Sequence, residues 1–208
     1  MDWYAWHDHY DDPNSGLAQR LRAVQGQVRA ALDTAAPGPL RAISVCAGQG
    51  RDLIEPLAVH PRRADVSARL VELDERNTAA ARRNAEMAGA GQIEVITADA
   101  ALIDHYADLA PADIVLLCGI FGNITDEDIE RTIDVSRSLV RTGGSVIWTR
   151  GRGEHDLFPQ ICQWFEQRTF DRLWISPPTE IWGVGAHRFT GEPQPLHKGA
   201  GMFQFIRH

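Results

Sequence analysis

The residues best suited to chemistry cluster just after apolar runs. Leu40 to Val45 leads directly into Cys46-Ala47-Gly48-Gln49-Gly50-Arg51-Asp52-Leu53. Two glycines at this spacing permit a tight turn and let a ligand approach bare backbone, although an ordinary strand-to-helix turn fits the same residues. The next apolar run ends in Val71-Glu72-Leu73-Asp74, about 20 residues further on, the distance at which an acid accepts hydrogen bonds from a ribose diol. Glu72 and Asp74 are both candidates, and a solvated acid before a helix is the plain alternative. A third acid, Asp99 in Thr97-Ala98-Asp99-Ala100, can accept from an exocyclic amine or cap a short helix. A glycine turn after the first run and acids at the ends of the next two point together to a nucleoside-like ligand.

A second group of residues suits an acceptor substrate. The aromatic start of the chain, with Trp3, Tyr4, Trp6 and Tyr10, can lie over an apolar acceptor, hold a cation against its ring faces, or simply cover the core. His7 and His9 flank Asp8 and are candidate general bases. Neighbouring residues point in different directions, so this trio is a poor metal site and no metal is expected. Asn123, in Gly119-Ile120-Phe121-Gly122-Asn123, can orient an acceptor through its amide or cap the following helix. Phe121 and Arg150 are candidate substrate contacts. His155, Trp182 and His187 flank late elements and fit surface or core positions equally well.

These residues require strands that end on one side of a sheet. Asn14 or Ser15 can cap a helix in which Leu17, Leu21, Val24, Val28 and Leu32 form an apolar face, opposite Arg20, Arg22 and Arg29. Thr34 to Pro39 is a Pro- and Gly-rich linker. Strands are then expected at Leu40 to Val45, Ala68 to Leu73, Gln92 to Ile96, Asp113 to Leu117 and Ser145 to Thr149. Helices are expected at Asp52 to Val59, Asn77 to Met87 and Glu127 to Leu139, with a helical stretch between the third and fourth strands and a turn at Thr142-Gly143-Gly144. This alternation implies a doubly wound, mostly parallel α/β sheet. A helix at Asp156 to Gln167 precedes strand-like pieces at Phe170 to Ile175, Trp182 to Phe189 and Met202 to Ile206, which predict an antiparallel ending.

The 208 residues suit a single domain, divided into a cap and helix (1–36), a ligand-binding core (37–150) and a C-terminal completion of sheet and pocket (151–208). With 44% hydrophobic and 24% charged residues, the chain is too apolar for a disordered one. A formal charge of -7 argues against a broad nucleic-acid or anionic-membrane surface and favours a small-molecule partner. Cys46, Cys118 and Cys162 lack zinc or redox spacing and are expected to be reduced. With neither a signal-peptide pattern nor a membrane-length apolar run, the expected location is the cytoplasm. The oligomeric state is not encoded legibly.

Over residues 40 to 150 the chain resembles the class I, Rossmann-like S-adenosylmethionine-dependent methyltransferases. Ser44-Val-Cys-Ala-Gly-Gln-Gly-Arg-Asp-Leu53 is similar to their glycine-rich first motif, with Gly48 and Gly50 on its second and third glycines. Cys46 stands in place of the first glycine, and Ser44 stands where an acid is common. The stretch Ala80 to Glu86 aligns with a similar family stretch and places Glu72, rather than Asp74, on the ribose-binding acid. Asp99, with Ala98 and Ala100, matches the adenine-binding acid motif. Asp113 to Asn123 resembles the fourth strand and the loop facing the sulfonium, and Arg141 to Gly144 resembles the glycine turn before strand five.

The resemblance implies a seven-stranded sheet and S-adenosyl-L-methionine as cofactor, with S-adenosyl-L-homocysteine as product. It also implies a cofactor site made of Cys46, Ala47, Gly48, Gly50, Asp52, Glu72, Leu73, Asp99, Ala100, Cys118 and Gly119. Neither an Asn-Pro-Pro-Tyr nor an Asp-Pro-Pro-Tyr motif follows strand four, which favours O- or N-methylation of a small metabolite. A nicotinamide enzyme is the less favoured alternative, because Leu53 occupies the third glycine position that a dinucleotide pyrophosphate needs. A non-catalytic binding module is the other.

Overall fold

A computed structural model describes residues 10–90, 92–153 and 156–206. The first described element is the helix α1 (Gly16–Thr34), and Ser15 caps it by accepting from the Ala18 amide at 3.0 Å. The chain then alternates through β1 (Leu40–Val45), α2 (Arg51–Val59), β2 (Val66–Glu72), α3 (Glu75–Met87), β3 (Ile93–Thr97) and β4 (Ala112–Leu117). It continues through α4 (Asp126–Leu139), β5 (Val140–Gly151), α5 (Phe158–Glu166), β6 (Phe170–Ile175) and β7 (Trp182–Phe189). The helical stretch expected between β3 and β4 is a single 3-10 turn, Ile103–Tyr106.

The seven strands form one sheet in the order β3-β2-β1-β4-β5-β7-β6. β1 runs parallel to β2 on one side and to β4 on the other, with Ser44 opposite both Leu70 and Leu116. Only β7 is antiparallel to its neighbours, β5 and β6. Strand order therefore reverses between β1 and β4, and that is where an open α/β sheet leaves a crevice beyond its carboxyl ends. β4 is buried along its whole length, as a parallel strand covered on both faces must be.

Two apolar cores lie on the two faces. One joins Val24, Val28 and Leu32 of α1 to Leu53, Ile54 and Leu57 of α2 and to one face of the central strands. The other is aromatic at its C-terminal end, where Trp148, Phe158, Phe165, Phe170 and Phe189 are all buried. Gly185 makes room for Trp148, since a Cβ there would lie 2.4 Å from the indole.

Two sequence expectations are corrected. The Thr142-Gly143-Gly144 turn is an irregularity inside a strand that already begins at Val140, with the register shifting between Ala112 and Ile114. A Cβ at Gly144 would lie 3.0 Å from the Ala112 carbonyl oxygen, so the sequence there serves close backbone approach. Met202 to Ile206 is not a strand. A single bridge joins Leu102 to Gly201, and the chain beyond it bonds to loops and to α4 rather than to a sheet edge. Among the described residues no helix is long and apolar enough to cross a membrane.

Candidate functional site

The crevice at the β1/β4 reversal holds a cavity of about 680 Å³. Its floor is made by the loops that leave β1, β2, β3 and β4, and Thr149 of β5 also reaches it. One wall is α1, through Arg20, Leu21 and Val24, with Tyr10 just before it. The opposite wall is Phe203-Gln204-Phe205.

The loop after β1 turns because Cys46, Gly48 and Gly50 all have positive φ, at 53°, 54° and 72°. Gly50 is the residue before α2, and a Cβ there would meet Ile54 at 2.5 Å and Leu70 at 2.7 Å. Only glycine combines this backbone with this packing. Glu72 braces the turn. Its Oε2 accepts from the Gly48 amide and its Oε1 from the Asp74 amide, each at 2.9 Å. A carboxylate has about four acceptor sites, so both oxygens keep capacity for a further donor. Asp74 serves α3 instead. It caps that helix through the Arg76 amide at 2.8 Å and pairs with the Arg76 guanidinium, which holds its carboxyl down at about 2. Asp99, exposed on the cavity wall, accepts from the Ala101 amide at 2.9 Å in a tight turn, and the Ala100 carbonyl takes the Tyr106 hydroxyl at 2.8 Å.

Among the described residues, two buried acceptors on the wall lack hydrogen-bond partners: Asp52 Oδ1 and Asn77 Oδ1. Asp52, in the first turn of α2, is 8% exposed, and burial pushes its carboxyl up to about 6. Asn77 is in the first turn of α3 and 1% exposed. Buried acceptors left unpaired are costly, so the cavity is built to receive donors. Ser44, within β1, is likewise buried with a hydroxyl that has no partner among the described residues, but it does not line the cavity. Burial pushes the Cys46 and Cys118 thiols well up, so neither is a thiolate near neutrality.

The structure brings Cys46, Ala47, Gly48, Asp52, Glu72, Leu73, Asp99, Ala100, Cys118, Gly119, Asn123 and Tyr10 to this one cavity, with Gly50 shaping the turn beneath them. The Tyr10 hydroxyl accepts from Arg20 at 3.2 Å, and burial raises its pKa. Asn123 does not cap α4, since Thr125 does so; its amide nitrogen instead donates to the Gly119 carbonyl at 2.9 Å. Gly119 is held from the other side by Thr149 Oγ1 at 2.8 Å.

Other expected contacts lie elsewhere. Phe121 is fully buried against Trp148 and Phe165, so its ring belongs to the aromatic core rather than to the cavity wall. Arg150 donates to the Phe121 carbonyl and supports the loop from behind. His187 is sealed in the aromatic core, where Nδ1 accepts from Trp148 Nε1 at 3.0 Å. Trp182 is half-buried at the start of β7, beside Gly16. Trp3, Tyr4, Trp6, His7, His9 and His155 lie outside the described residues.

Sequence reasoning misses Arg20, Asn77 and the 203–205 wall. It puts Arg20 on the polar face of α1, yet Arg20 is four residues before Val24 and three after Leu17, which brings it to the cavity face. The signal for 203–205 is the apolar alternation itself, which also describes a strand. In fact Met202 N donates to Ala101 O, Gln204 N to Asp128 Oδ2 and Ile206 N to Asn123 O, at 2.8 to 2.9 Å, making a strap across two loops.

No protein-family model matches the chain, and no curated protein matches it. Solved structures do match in shape. A 1,6-didemethyltoxoflavin-N1-methyltransferase from Burkholderia thailandensis, with 1,6-didemethyltoxoflavin and S-adenosylhomocysteine bound, superposes with a TM-score of 0.66 at 15% identity, covering 91% of this chain and 84% of that one. The fold is the Rossmann-like methyltransferase fold. A magnesium protoporphyrin IX methyltransferase from Synechocystis PCC 6803 with bound SAM gives 0.65 at 18% identity over 89% of each chain. An O-methyltransferase family protein, also from Burkholderia thailandensis, gives 0.63 at 15% identity, covering 82% of this chain and 57% of that longer one.

Proposed function

We propose that the chain is an S-adenosylmethionine-dependent methyltransferase acting on oxygen or nitrogen of a small molecule. The observation that carries this is the cavity at the β1/β4 reversal, where acids from two strand ends meet two buried acceptors that lack donors among the described residues. A nucleoside carrying an amino acid brings donors to each. Glu72 and Asn77 are assigned to the ribose hydroxyls, Asp99 and Ala100 to the adenine edge, and Leu73 and Phe205 to its faces. A volume of about 680 Å³ falls in the range of roughly 300–1,000 Å³ usual for small-molecule sites.

Bound S-adenosylmethionine supplies an electrophilic methyl group on a sulfonium. The chain's part is to align an acceptor with it and to exclude water. The apolar face of α1 and the 203–205 strap enclose the site, while Tyr10 and Asn123 border the β4 end, where the acceptor enters. With both cavity thiols protonated, transfer goes directly to the acceptor and not through a methylated cysteine. Trp3, Tyr4 and Trp6 are proposed to complete the acceptor's cover, and His7 or His9 to take its proton where it starts protonated. The negative net charge favours a small-molecule partner over nucleic acid.

Calorimetric titration with S-adenosylmethionine and S-adenosylhomocysteine, with NAD and NADP as controls, tests the proposal. Micromolar binding of the first pair alone is expected. Binding of NAD in preference would restore the oxidoreductase alternative, and binding of the first pair without turnover over a broad acceptor panel would favour a binding module.

A further inference from the structure

The loop after β4 is gripped by two neighbouring elements. The Gly119 amide donates to Thr149 Oγ1 at 2.8 Å, and the Phe121 carbonyl accepts from Arg150, so two successive residues of β5 hold its near side. The Ile206 amide donates to the Asn123 carbonyl at 2.9 Å, so the strap holds its far end. Gly119 has a φ of 76°, and a Cβ there would meet no atom within 4 Å. Bare backbone therefore leaves open space at this part of the cavity wall. Thr149, only 2% exposed, and Asn123 line the same cavity.

These bonds fix the sense of the Asn123 side chain. Its Nδ2 donates to the Gly119 carbonyl at 2.9 Å. Turning the amide over would set two carbonyl oxygens against each other, so the nitrogen is committed and Oδ1 is the end offered to a ligand. No described residue donates to Oδ1. An amide oxygen accepts hydrogen bonds but takes no proton near neutrality, so it suits an acceptor atom that still carries its hydrogen when it attacks. A hydroxyl acceptor reacts as its anion, which an amide oxygen repels. A nitrogen bearing hydrogen reacts through its lone pair and gains positive charge as it does so. Its hydrogen bond to Oδ1 then strengthens towards the transition state, which lowers the barrier instead of merely tightening binding.

Resting on the cofactor proposed above, we infer that the methylated atom is a nitrogen bearing hydrogen, that Asn123 Oδ1 receives its N–H, and that Thr149 is a positioning residue acting through Gly119. The nitrogen lone pair forms the N–CH3 bond as the S–CH3 bond breaks, and the electron pair of the broken bond stays on sulfur. The methylated nitrogen then carries the positive charge and loses its proton to water.

The test uses the full chain, methyl-labelled S-adenosylmethionine and acceptors in pairs that differ only at the accepting atom: aniline and phenol, anthranilate and salicylate, naphthylamine and naphthol. Label is expected on the amines and not on their hydroxyl partners. Label on the hydroxyl compounds, or on none of the six, overturns the nitrogen assignment. Thr149→Val keeps the shape of the side chain and removes its oxygen. With the best amine it is expected to lower kcat by about 10- to 100-fold, the worth of a hydrogen bond to a group gaining charge, while KM and S-adenosylhomocysteine affinity stay within about threefold. Thr149→Ser should restore most of the rate. Asn123 is partly exposed on a loop, so Asn123→Ala tests the same contact without touching the core, and it should lower kcat by a similar factor. If Thr149→Val only lowers Tm, or weakens S-adenosylhomocysteine binding as much as it slows turnover, its role is structural and the positioning assignment falls. Calorimetry separates the two levels. A wild-type chain that binds S-adenosylhomocysteine and fails with the amines overturns this inference alone, whereas one that binds no S-adenosylhomocysteine overturns the cofactor reading and this inference with it.

Discussion

Asp52 and His187 are both buried titratable side chains with one atom lacking a hydrogen-bond partner, yet they stand in opposite situations. His187 is packed between rings, with Phe165 stacked at 4.8 Å between centroids and the Trp148 indole N–H bonded to its Nδ1. That bond leaves the proton on Nε2 and the imidazole neutral. Burial, helped by the Arg172 charge, lowers its pKa to about 3. Asp52 faces a cavity, and near neutrality it must carry a charge that burial opposes. A sealed polar group can settle its cost by staying neutral, whereas one that opens on a cavity leaves the cost for a ligand to relieve. The two regions therefore divide labour: the aromatic end of the sheet holds the fold, and the β1/β4 end gives up stability for binding.

The sharpest way to break this comparison is acid titration of stability. His187 keeps its stability contribution above pH 6.5 and loses it as pH falls towards about 3, because the unfolded chain then binds a proton the folded one refuses. The full window is worth on the order of 5 kcal/mol at most. Denaturant unfolding at a series of pH values should show this slope in the wild type and a flatter one in His187→Phe; equal slopes would show that His187 is not sealed. Next in size, Trp148→Ala should cost about 3–5 kcal/mol of unfolding free energy, since the ring packs against Phe121, Phe158 and Phe165. Ligand affinity measured in the folded fraction should stay unchanged.

Asp52 carries the opposite sign. Its carboxyl is raised from 3.8 to about 6, so the folded state binds the proton more tightly, and stability falls as pH rises through that window, by about 3 kcal/mol. Asp52→Asn should therefore melt higher than the wild type at pH 7 while binding S-adenosylhomocysteine less well; a lower melting temperature would contradict the division of labour. The smallest effect is expected for Glu72→Ala, which should weaken cofactor binding by ~1–3 kcal/mol. Titration of the variant would take Glu72 out of the site if affinity did not change.

Much of this architecture is legible because parallel strands buried on both faces read as apolar runs ending in glycines or acids. β1, β6 and β7 fall where the sequence puts them, residue for residue, and the sheet order follows the expected class. The acids at 72 and 99 are readable because their place at a strand end is set by chain connectivity. Three things are hidden. Gly143-Gly144 has turn composition but sits within a strand, where neighbouring backbone leaves no room for a side chain at Gly144. Phe121 and Arg150 lie in the right segments, but which way a loop side chain points depends on packing that sequence does not display. Met202 to Ile206 has the alternation of a strand, and its bonding partners lie far earlier in the chain, in the loops at Ala101 and Asn123 and on α4 at Asp128.

That strap has a consequence for the order in which the protein becomes competent. The sheet's seven strands are all synthesised by Phe189, but the wall formed by Phe203 to Phe205 is made afterwards, along with the amides that clasp Ala101, Asp128 and Asn123. A nascent chain can thus hold a complete sheet while its cavity stands open on one side. A ligand that needs that wall is therefore held fully only once residues 203–205 have been made and clasped, so its binding reports on the last part of the site to be completed.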